Sequence, residues 1–224
     1  MIPHIIHYCW FGGSPLPKLA KKCIASWQRF FPDWEIREWN ESNFDVNSHP
    51  YAAMAYNEKR WAYLSDIVRL LVVEQYGGIY FDTDVEVIRY PKELLAHYTA
   101  WFGFELPEYI NTGLGFAATP HHPAVQAMLQ KYNDLHIITG CPQLNTDALV
   151  GRGLVRNGEK QSILDAVILP TDYLCPFEDA TGILHTSPNT VSIHWFSKSP
   201  HGKWAYYRSK LTRVYHRLLL LFHV

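Results

Sequence analysis

The segment that says most about the fold reads Tyr76-Gly77-Gly78-Ile79-Tyr80-Phe81-Asp82-Thr83-Asp84. Its two glycines end a helical pattern, its apolar residues predict a short buried strand, and two carboxylates follow that strand at spacing i, i+2. Carboxylate oxygens are hard ligands that suit Mg²⁺ or Mn²⁺, so we predict that Asp82 and Asp84 hold a divalent ion. A charged turn between two strands is the alternative interpretation of the same pattern.

Strand and helix patterns alternate on both sides of this segment. Such alternation is typical of a mixed or parallel α/β sheet, in which ligands bind beyond the carboxyl ends of the strands. The apolar patterns predict strands at 5–10, 34–39, 79–81, 85–88, 100–104, 114–118, 166–169 and 190–195. They predict helices at 19–31, 58–76, 123–135 and 143–150.

Composition limits the class of protein. The chain has 224 residues, which predicts one domain. Hydrophobic residues make up 48%, within the usual range of globular chains, and charged residues make up 18%, below the usual value of about 25%. Its 20 basic and 21 acidic residues leave a net charge of −1, so we expect no nucleic-acid partner. The four cysteines are scattered and predict reduced thiols. The segment Met1-Ile2-Pro3-His4 does not resemble a signal peptide, so we expect a cytoplasmic location.

Asp66 and Arg69 lie one turn apart within the predicted helix at 58–76, away from the centre of its apolar stripe. A carboxylate can bind ribose hydroxyls, and the planar guanidinium group can bind phosphate. The alternative is an ion pair on the protein surface, which contributes only about 0.2–0.5 kcal/mol.

Two aromatic segments also end predicted strands. Trp10 precedes Gly12-Gly13, where an aromatic ring could stack on a base; packing in the core is the alternative. His194 begins the segment His194-Trp195-Phe196-Ser197-Lys198 and could be a third metal ligand, although a single histidine is more often a structural residue.

Three segments together resemble a family of sugar-nucleotide glycosyltransferases, the one with the DXD sugar-binding region. They are Ile2-Pro3-His4-Ile5-Ile6-His7-Tyr8-Cys9-Trp10-Phe11-Gly12-Gly13, Tyr63-Leu64-Ser65-Asp66-Ile67-Val68-Arg69, and the segment from Tyr76 to Asp84. The family includes bacterial capsular and lipopolysaccharide transferases. It is related to yeast Golgi mannosyltransferases and to the glucosylating domain of large clostridial toxins. The resemblance is dense over residues 1–120 and weaker up to 204.

The resemblance implies a GT-A fold, a Rossmann-like mixed sheet flanked by helices in a single domain. It also implies retaining transfer of a hexose from a UDP- or GDP-sugar with Mn²⁺ or Mg²⁺ bound. Trp10 resembles the residue that stacks on uracil, Asp66 a ribose or sugar ligand, and Arg69 a cation that positions the donor. Asp82 and Asp84 resemble the carboxylates that bind metal and nucleotide.

Later segments resemble loops on the donor and acceptor sides and a closing motif near the C-terminus. The first group contains Asn111, Thr112 and Gly113, followed by Thr139-Gly140-Cys141-Pro142. The closing motif contains His194 and Trp195, and Lys198 would add positive charge near the departing diphosphate. Family members often show a doubled histidine there, whereas this chain has one.

We therefore expect a metal-dependent retaining hexosyltransferase that uses a UDP-sugar and a saccharide or lipid-linked saccharide acceptor in bacterial surface polysaccharide synthesis. A non-catalytic sugar-binding or nucleotide-sugar-binding protein and a glycoside hydrolase are the alternatives. We expect a transferase domain at 1–202. A basic and apolar helix at 203–224 would either contact the inner face of the plasma membrane or pack on the domain.

Overall fold

The computed structural model describes residues 1–197 of the chain. Within these residues strands and helices alternate, as predicted. The strands are β1 Ile5–Cys9, β2 Glu35–Trp39, β3 Gly78–Tyr80, β4 Val85–Val87, β5 Ala100–Leu106, β6 Tyr109–Ile110, β7 Phe116–Ala118, β8 Gln161–Ile163, β9 Ala166–Leu169, β10 Phe177–Glu178, β11 Ile183–Leu184 and β12 Ser192–His194. The α-helices are α1 Lys18–Phe30, α2 Pro50–Asn57, α3 Trp61–Tyr76, α4 Lys92–His97, α5 Pro123–Gln130, α6 Cys141–Val150 and α7 Thr171–Leu174.

The centre of the fold is an eight-stranded mixed sheet with the strand order β2-β1-β3-β7-β5-β9-β8, in which β6 also pairs with β5. Strand β1 runs parallel to β2 and β3, and β5 runs parallel to β9. Strand β7 lies antiparallel between β3 and β5. The prediction of a mixed α/β sheet flanked by helices is therefore confirmed.

Both faces of the sheet are buried, which explains why its strands read as continuous apolar runs. Along β5, Ala100 and Phe102 belong to one apolar cluster and Trp101 to another, because successive side chains point to opposite faces. The first cluster includes Leu64 of α3, and the second includes Trp27 of α1. Helices α3 and α1 therefore cover different faces of the sheet.

Several element boundaries differ from the prediction, and the helices show this most clearly. The predicted helix at 58–76 begins at Trp61. The separate helix α2 ends before it, and Lys59 breaks the chain between them with a left-handed φ of 55°. Helix α2 was not predicted, although the His49 side chain accepts a hydrogen bond from the Tyr51 backbone N–H and Pro50 occupies the first turn. The predicted helix at 123–135 ends at Gln130.

All four cysteines are free and buried, as predicted. No helix within residues 1–197 is long and apolar enough to span a bilayer. Lys198 and the helix predicted at 203–224 lie outside the described residues, so their assigned roles stay predictions.

Candidate active site

The Asp82-Thr83-Asp84 segment connects β3 to β4 at the carboxyl end of β3, where the sequence predicted it. The first residue of β3 must be glycine, because a Cβ on Gly78 would lie 2.5 Å from the Ile5 carbonyl oxygen. Gly78 thus lets β3 lie against β1. The backbone N–H of Phe81 then donates to the His7 carbonyl oxygen at 3.1 Å, and the Phe81 ring is buried. These contacts hold the two carboxylates at the edge of the sheet.

Strand β12 brings His194 to Asp84. It pairs antiparallel with β4, which places His194 opposite Val85. Nε2 of His194 lies 3.2 Å from Oδ1 of Asp84, and the backbone N–H of Ser197 donates to Oδ2 at 2.6 Å. The predicted strand at 190–195 therefore exists, but it belongs to a two-stranded sheet with β4 and not to the central sheet.

Asp82, Asp84 and His194 form a cluster that fits a divalent cation. Each of the three offers one ligand atom, and these atoms all lie within 4.8 Å of one another. The two carboxylate oxygens suit Mn²⁺ or Mg²⁺. The imidazole nitrogen suits the transition-metal ion Mn²⁺ better than Mg²⁺. Nδ1 of His194 is buried and has no hydrogen-bond partner within residues 1–197, as expected of a side chain placed to bind a ligand. The residues present thus fit the predicted metal.

The two aspartates differ electrostatically. Burial raises the pKa of Asp82, and the nearby Asp84 charge adds to this, while the positive charge of Arg69 opposes it. Burial also disfavours the charged form of Asp84, but His194 and the Ser197 backbone N–H outweigh it and lower the pKa of Asp84. Asp84 therefore stays ionised next to a histidine whose own pKa is raised: burial opposes the imidazolium, but the Asp84 carboxylate favours it more strongly.

Arg69 lies between Asp66 and Asp82. Its Nη2 is 3.0 Å from Asp66 Oδ1 and 3.1 Å from Asp82 Oδ1. The alternative interpretation of Asp66 and Arg69 as a surface ion pair is wrong, because these residues are only 8% and 3% exposed. Helix α3 is covered on its polar side as well as along its apolar stripe. The loop after β6 and the start of α6 both contact Arg69 on that polar side.

Further contacts fix the Arg69 guanidinium group. Its Nε donates to the Ser65 carbonyl oxygen at 3.1 Å, and its Nη1 donates to Thr112 Oγ1 at 3.4 Å. The group also lies over the Tyr80 ring, 5.0 Å from the centroid. The Tyr80 hydroxyl donates to Asp82 Oδ1 at 2.8 Å. Arg69 and Tyr80 therefore orient Asp82.

The predicted loop at 111–113 closes this site. The Asn111 side chain accepts from the Gly113 backbone N–H at 2.7 Å, and Thr112 Oγ1 accepts from Asn145 Nδ2 at 3.0 Å. A Cβ on Gly113 would lie 2.5 Å from Asp82 Oδ2 and 3.2 Å from Arg69 Nη1. Only glycine leaves room for the loop to lie directly against the aspartate and the arginine.

The predicted loop around Gly140 reaches the same site. Gly140 is the N-cap of α6, and the next residue, Cys141, places its Sγ 3.8 Å from Arg69 Nη1. The Cys141 thiol also donates to Asn111 Oδ1 at 3.5 Å. The structure therefore brings together residues from α3, the DXD segment and both later loops, as the resemblance implied.

Trp10 and Trp195 lie on loops beside the site. Trp10 is partly buried, and its indole N–H donates to the Ser14 carbonyl oxygen across the Gly12-Gly13 turn. The backbone N–H of Trp195 donates to the Asp84 carbonyl oxygen at 3.0 Å, and its indole N–H donates to Glu86 Oε2 at 2.9 Å. Trp195 is thus tied to the DXD segment, and base stacking by Trp10 stays a prediction.

Two residues of the site were not predicted. Tyr80 was assigned only to a strand, although its position two residues before Asp82 places both side chains on the same side of the chain. Glu105 was not singled out, although its carboxylate accepts a hydrogen bond from Asn111 Nδ2. Glu105 follows the predicted strand at 100–104, and the rule that ligands bind at strand ends could have identified it.

Known proteins share both the sequence and the fold of this region. Residues 17–101 match the family described as "Glycosyltransferase sugar-binding region containing DXD motif". The chain is 34% identical over 128 residues to inositol phosphoceramide mannosyltransferase 3 of Schizosaccharomyces pombe, across 52% of this chain and 33% of that protein. It is 30% identical over 125 residues to human alpha-1,4-N-acetylglucosaminyltransferase, across 53% and 34% of the two chains. The chain thus spans about a third of the length of these relatives.

Two solved structures have the same fold. The PaToxG glycosyltransferase aligns with a TM-score of 0.50 at 18% identity, over 67% of this chain and 69% of that one. A glycosyltransferase involved in glycosylation of the major capsid of PBCV-1 aligns with a TM-score of 0.52 at 11% identity, over 94% and 99%. The fold is therefore of the GT-A glycosyltransferase type. Residues 17–101 are thus similar to the DXD-containing sugar-binding region of known glycosyltransferases, and the resemblance expected from the sequence is confirmed.

Proposed function

We propose that the protein is a metal-dependent retaining hexosyltransferase that uses a nucleoside diphosphate sugar, with a UDP-sugar favoured over a GDP-sugar. The observation that carries the proposal is the cluster of Asp82, Asp84 and His194, whose ligand atoms lie within 4.8 Å of one another. It lies inside a site that also contains the buried Asp66–Arg69 pair. A protein that only binds sugar has no need of such a combination.

The chain's own residues would divide the work. Asp82, Asp84 and His194 would hold Mn²⁺ or Mg²⁺, which as a bound Lewis acid stabilises charge on a departing diphosphate. Arg69 and Tyr80 hold Asp82 in one orientation, so little reorganisation is needed when the donor binds. Asp66 would bind the ribose or the donor sugar, the loops that contain Asn111, Thr112, Gly113 and Gly140 would lie on the donor and acceptor sides, and Trp10 would stack on the base.

The acceptor is proposed to be a saccharide or a lipid-linked saccharide, and the biological setting to be bacterial surface polysaccharide synthesis in the cytoplasm. The relatives support transfer of a hexose unit, because their names describe a mannosyltransferase and an N-acetylglucosaminyltransferase. The donor sugar and the acceptor are therefore the first things to determine by experiment.

A screen of UDP- and GDP-sugars with and without Mn²⁺ tests the proposal. A ligand present at about 100 times its Kd should stabilise the folded protein by about 2.7 kcal/mol, which thermal unfolding detects. We expect stabilisation to require both the ion and a nucleotide, and release of nucleoside diphosphate to accompany sugar transfer. A glycoside hydrolase would act without nucleotide or metal, and a binding protein would release no product. Either result would contradict the proposal.

A further inference from the structure

An open cleft with a volume of about 340 Å³ lies next to the candidate active site. Its walls come from the end of β5, from β6 and from the N-terminus of α6, and they include Glu105, Tyr109, Thr139 and Gln143. Gly140 also lines it, so one of the predicted site loops forms part of its wall.

The Asn111 side chain connects this cleft to the DXD segment. A Cβ on Gly113 would lie 2.5 Å from Asp82 Oδ2 and 3.0 Å from Asn111 Oδ1, so both side chains approach the same point. On its other side, Asn111 Nδ2 donates to Glu105 Oε2. Glu105 also lies within electrostatic range of His194. The Glu105 carboxylate is therefore linked through Asn111 to the DXD segment.

One oxygen of Glu105 is available to a ligand. Oε2 accepts the hydrogen bond from Asn111, whereas Oε1 has no hydrogen-bond partner within residues 1–197. The residue is partly exposed at the cleft. An ionised carboxylate oxygen accepts hydrogen bonds and donates none, so Glu105 is suited to bind a hydroxyl group.

The walls of the cleft are held in place without a ligand. The Arg156 guanidinium group lies over the Tyr109 ring, 5.6 Å from its centroid, and also pairs with Asp147. Gln143 Nε2 donates to the same aspartate at 2.7 Å. Just before α6, the Tyr51 hydroxyl donates to the Thr139 carbonyl oxygen at 2.9 Å. Sites for small molecules are usually preformed in this way.

We propose that this cleft binds the acceptor sugar and that Glu105 determines which acceptor is used. The inference rests on the function proposed above. The ligand class is a neutral hexopyranoside, because its hydroxyls suit Glu105 Oε1 and its apolar ring face suits the Tyr109 ring. Asn111 approaches Asp82 with its Oδ1 and donates from its Nδ2 to Glu105. The Asn111 side chain therefore sets the orientation of the Glu105 carboxylate that would bind the acceptor sugar.

The test measures binding of methyl hexopyranosides of the gluco, manno and galacto series to the full chain by saturation-transfer NMR, with UDP and Mg²⁺ present. Glu105→Gln keeps the size of the side chain and removes its charge, and Tyr109→Ala removes the ring. Glu93→Gln is the matched control, because this exposed carboxylate pairs with His97 on α4, away from the cleft.

We expect at least one glycoside to bind the unaltered protein and its Kd to rise about tenfold in Glu105→Gln, as loss of a charge-assisted hydrogen bond predicts. Tyr109→Ala should weaken glycoside binding as well, and Glu93→Gln should not. Both Tyr109→Ala and Glu93→Gln should bind UDP as the unaltered protein does. If Glu105→Gln and Tyr109→Ala both bind the glycoside as tightly as the unaltered protein does, the proposal is overturned. UDP binding without any glycoside binding also overturns it. Failure of the unaltered protein to bind UDP would instead contradict the proposed function.

Discussion

Nε2 of His194 lies 3.2 Å from Oδ1 of Asp84, although the two residues come from distant parts of the described chain. The antiparallel pairing of β12 with β4 produces this contact. An imidazole and a carboxylate so close together are either an ion pair or two ligands of one cation. Metal binding requires the neutral imidazole, so the two states differ by a proton.

The Asp84→Asn variant should lose Mn²⁺-dependent binding of UDP while the protein stays folded. Asparagine keeps the size of the side chain but removes one of the two charges that attract the ion. Thermal unfolding with Mn²⁺, with UDP and with both should show the joint stabilisation in the unaltered protein and not in the variant. Asp82→Asn should behave alike. Joint stabilisation equal to that of the unaltered protein would exclude the metal assignment, and so would full activity in EDTA.

The Arg69→Met variant should lose about 3–5 kcal/mol of unfolding free energy, because it leaves the buried Asp66 carboxylate and the partly buried Asp82 carboxylate facing each other without a cation. Urea unfolding measures this change. Arg60→Met is the control, since that arginine makes an exposed 3.9 Å pair with Glu58 and should cost less than about 1 kcal/mol. Equal losses in both variants would show that the buried network adds nothing special to stability.

The Gly113→Ala variant should lower UDP-sugar binding and transfer much more than it lowers stability. The added Cβ would lie 2.5 Å from Asp82 Oδ2, so the aspartate must move out of the position that Arg69 and Tyr80 set. Gly151→Ala is the matched control, because a Cβ there meets nothing closer than 3.7 Å. If both variants retain activity, Asp82 does not need its observed orientation.

The Trp10→Ala variant should weaken UDP binding with little change in kcat, because stacking acts on the base and not on the reacting carbon. An aromatic contact contributes about 0.5–1.5 kcal/mol beyond its buried area, so Kd should rise up to about tenfold. Trp10→Phe should have a smaller effect. Isothermal titration measures both. Unfolding of Trp10→Ala without a separate nucleotide defect would support the core-packing interpretation.

Stability should fall as the pH drops from 6.5 towards 4, in part because of His7. Burial lowers the pKa of His7 to about 4, even though its Nε2–H donates to the Gly77 carbonyl oxygen. Nδ1 accepts a hydrogen bond from Trp39 Nε1, which also favours the neutral imidazole. The unfolded chain therefore binds a proton in this range that the folded chain does not, which destabilises the fold by up to about 3 kcal/mol at pH 4.

The His7→Gln variant isolates that contribution, because glutamine offers a donor and an acceptor but does not titrate. Unfolding free energies measured between pH 4 and 7 should depend less steeply on pH in the variant than in the unaltered protein. The same slope in both proteins would assign the acid sensitivity to other groups, such as His49 and His122, whose pKa values burial also lowers.

Local patterns were sufficient to predict the central elements. The apolar runs around β1, β3 and β9 are short and bounded by glycine or proline, and the 3.6-residue period of α3 is clear. The position of Asp82 and Asp84 at a strand end follows from the same patterns, because strand and carboxylates are adjacent in sequence. Helix α2 was not predicted, because Pro50–Asn57 is apolar nearly throughout and so shows no amphipathic period, and because its start depends on the His49 cap.

Contacts between distant segments could not be read from these patterns. Asp66 and Arg69 resembled a surface pair because periodicity along one helix does not show that the loops at 111–113 and 139–142 cover its polar side. His194 reaches Asp84 only through the pairing of β12 with β4, and Glu105 reaches Asn111 through the turn after β5. Burial of a charge and assembly of a site depend on which segments meet in space, and a period within one segment carries no information about that.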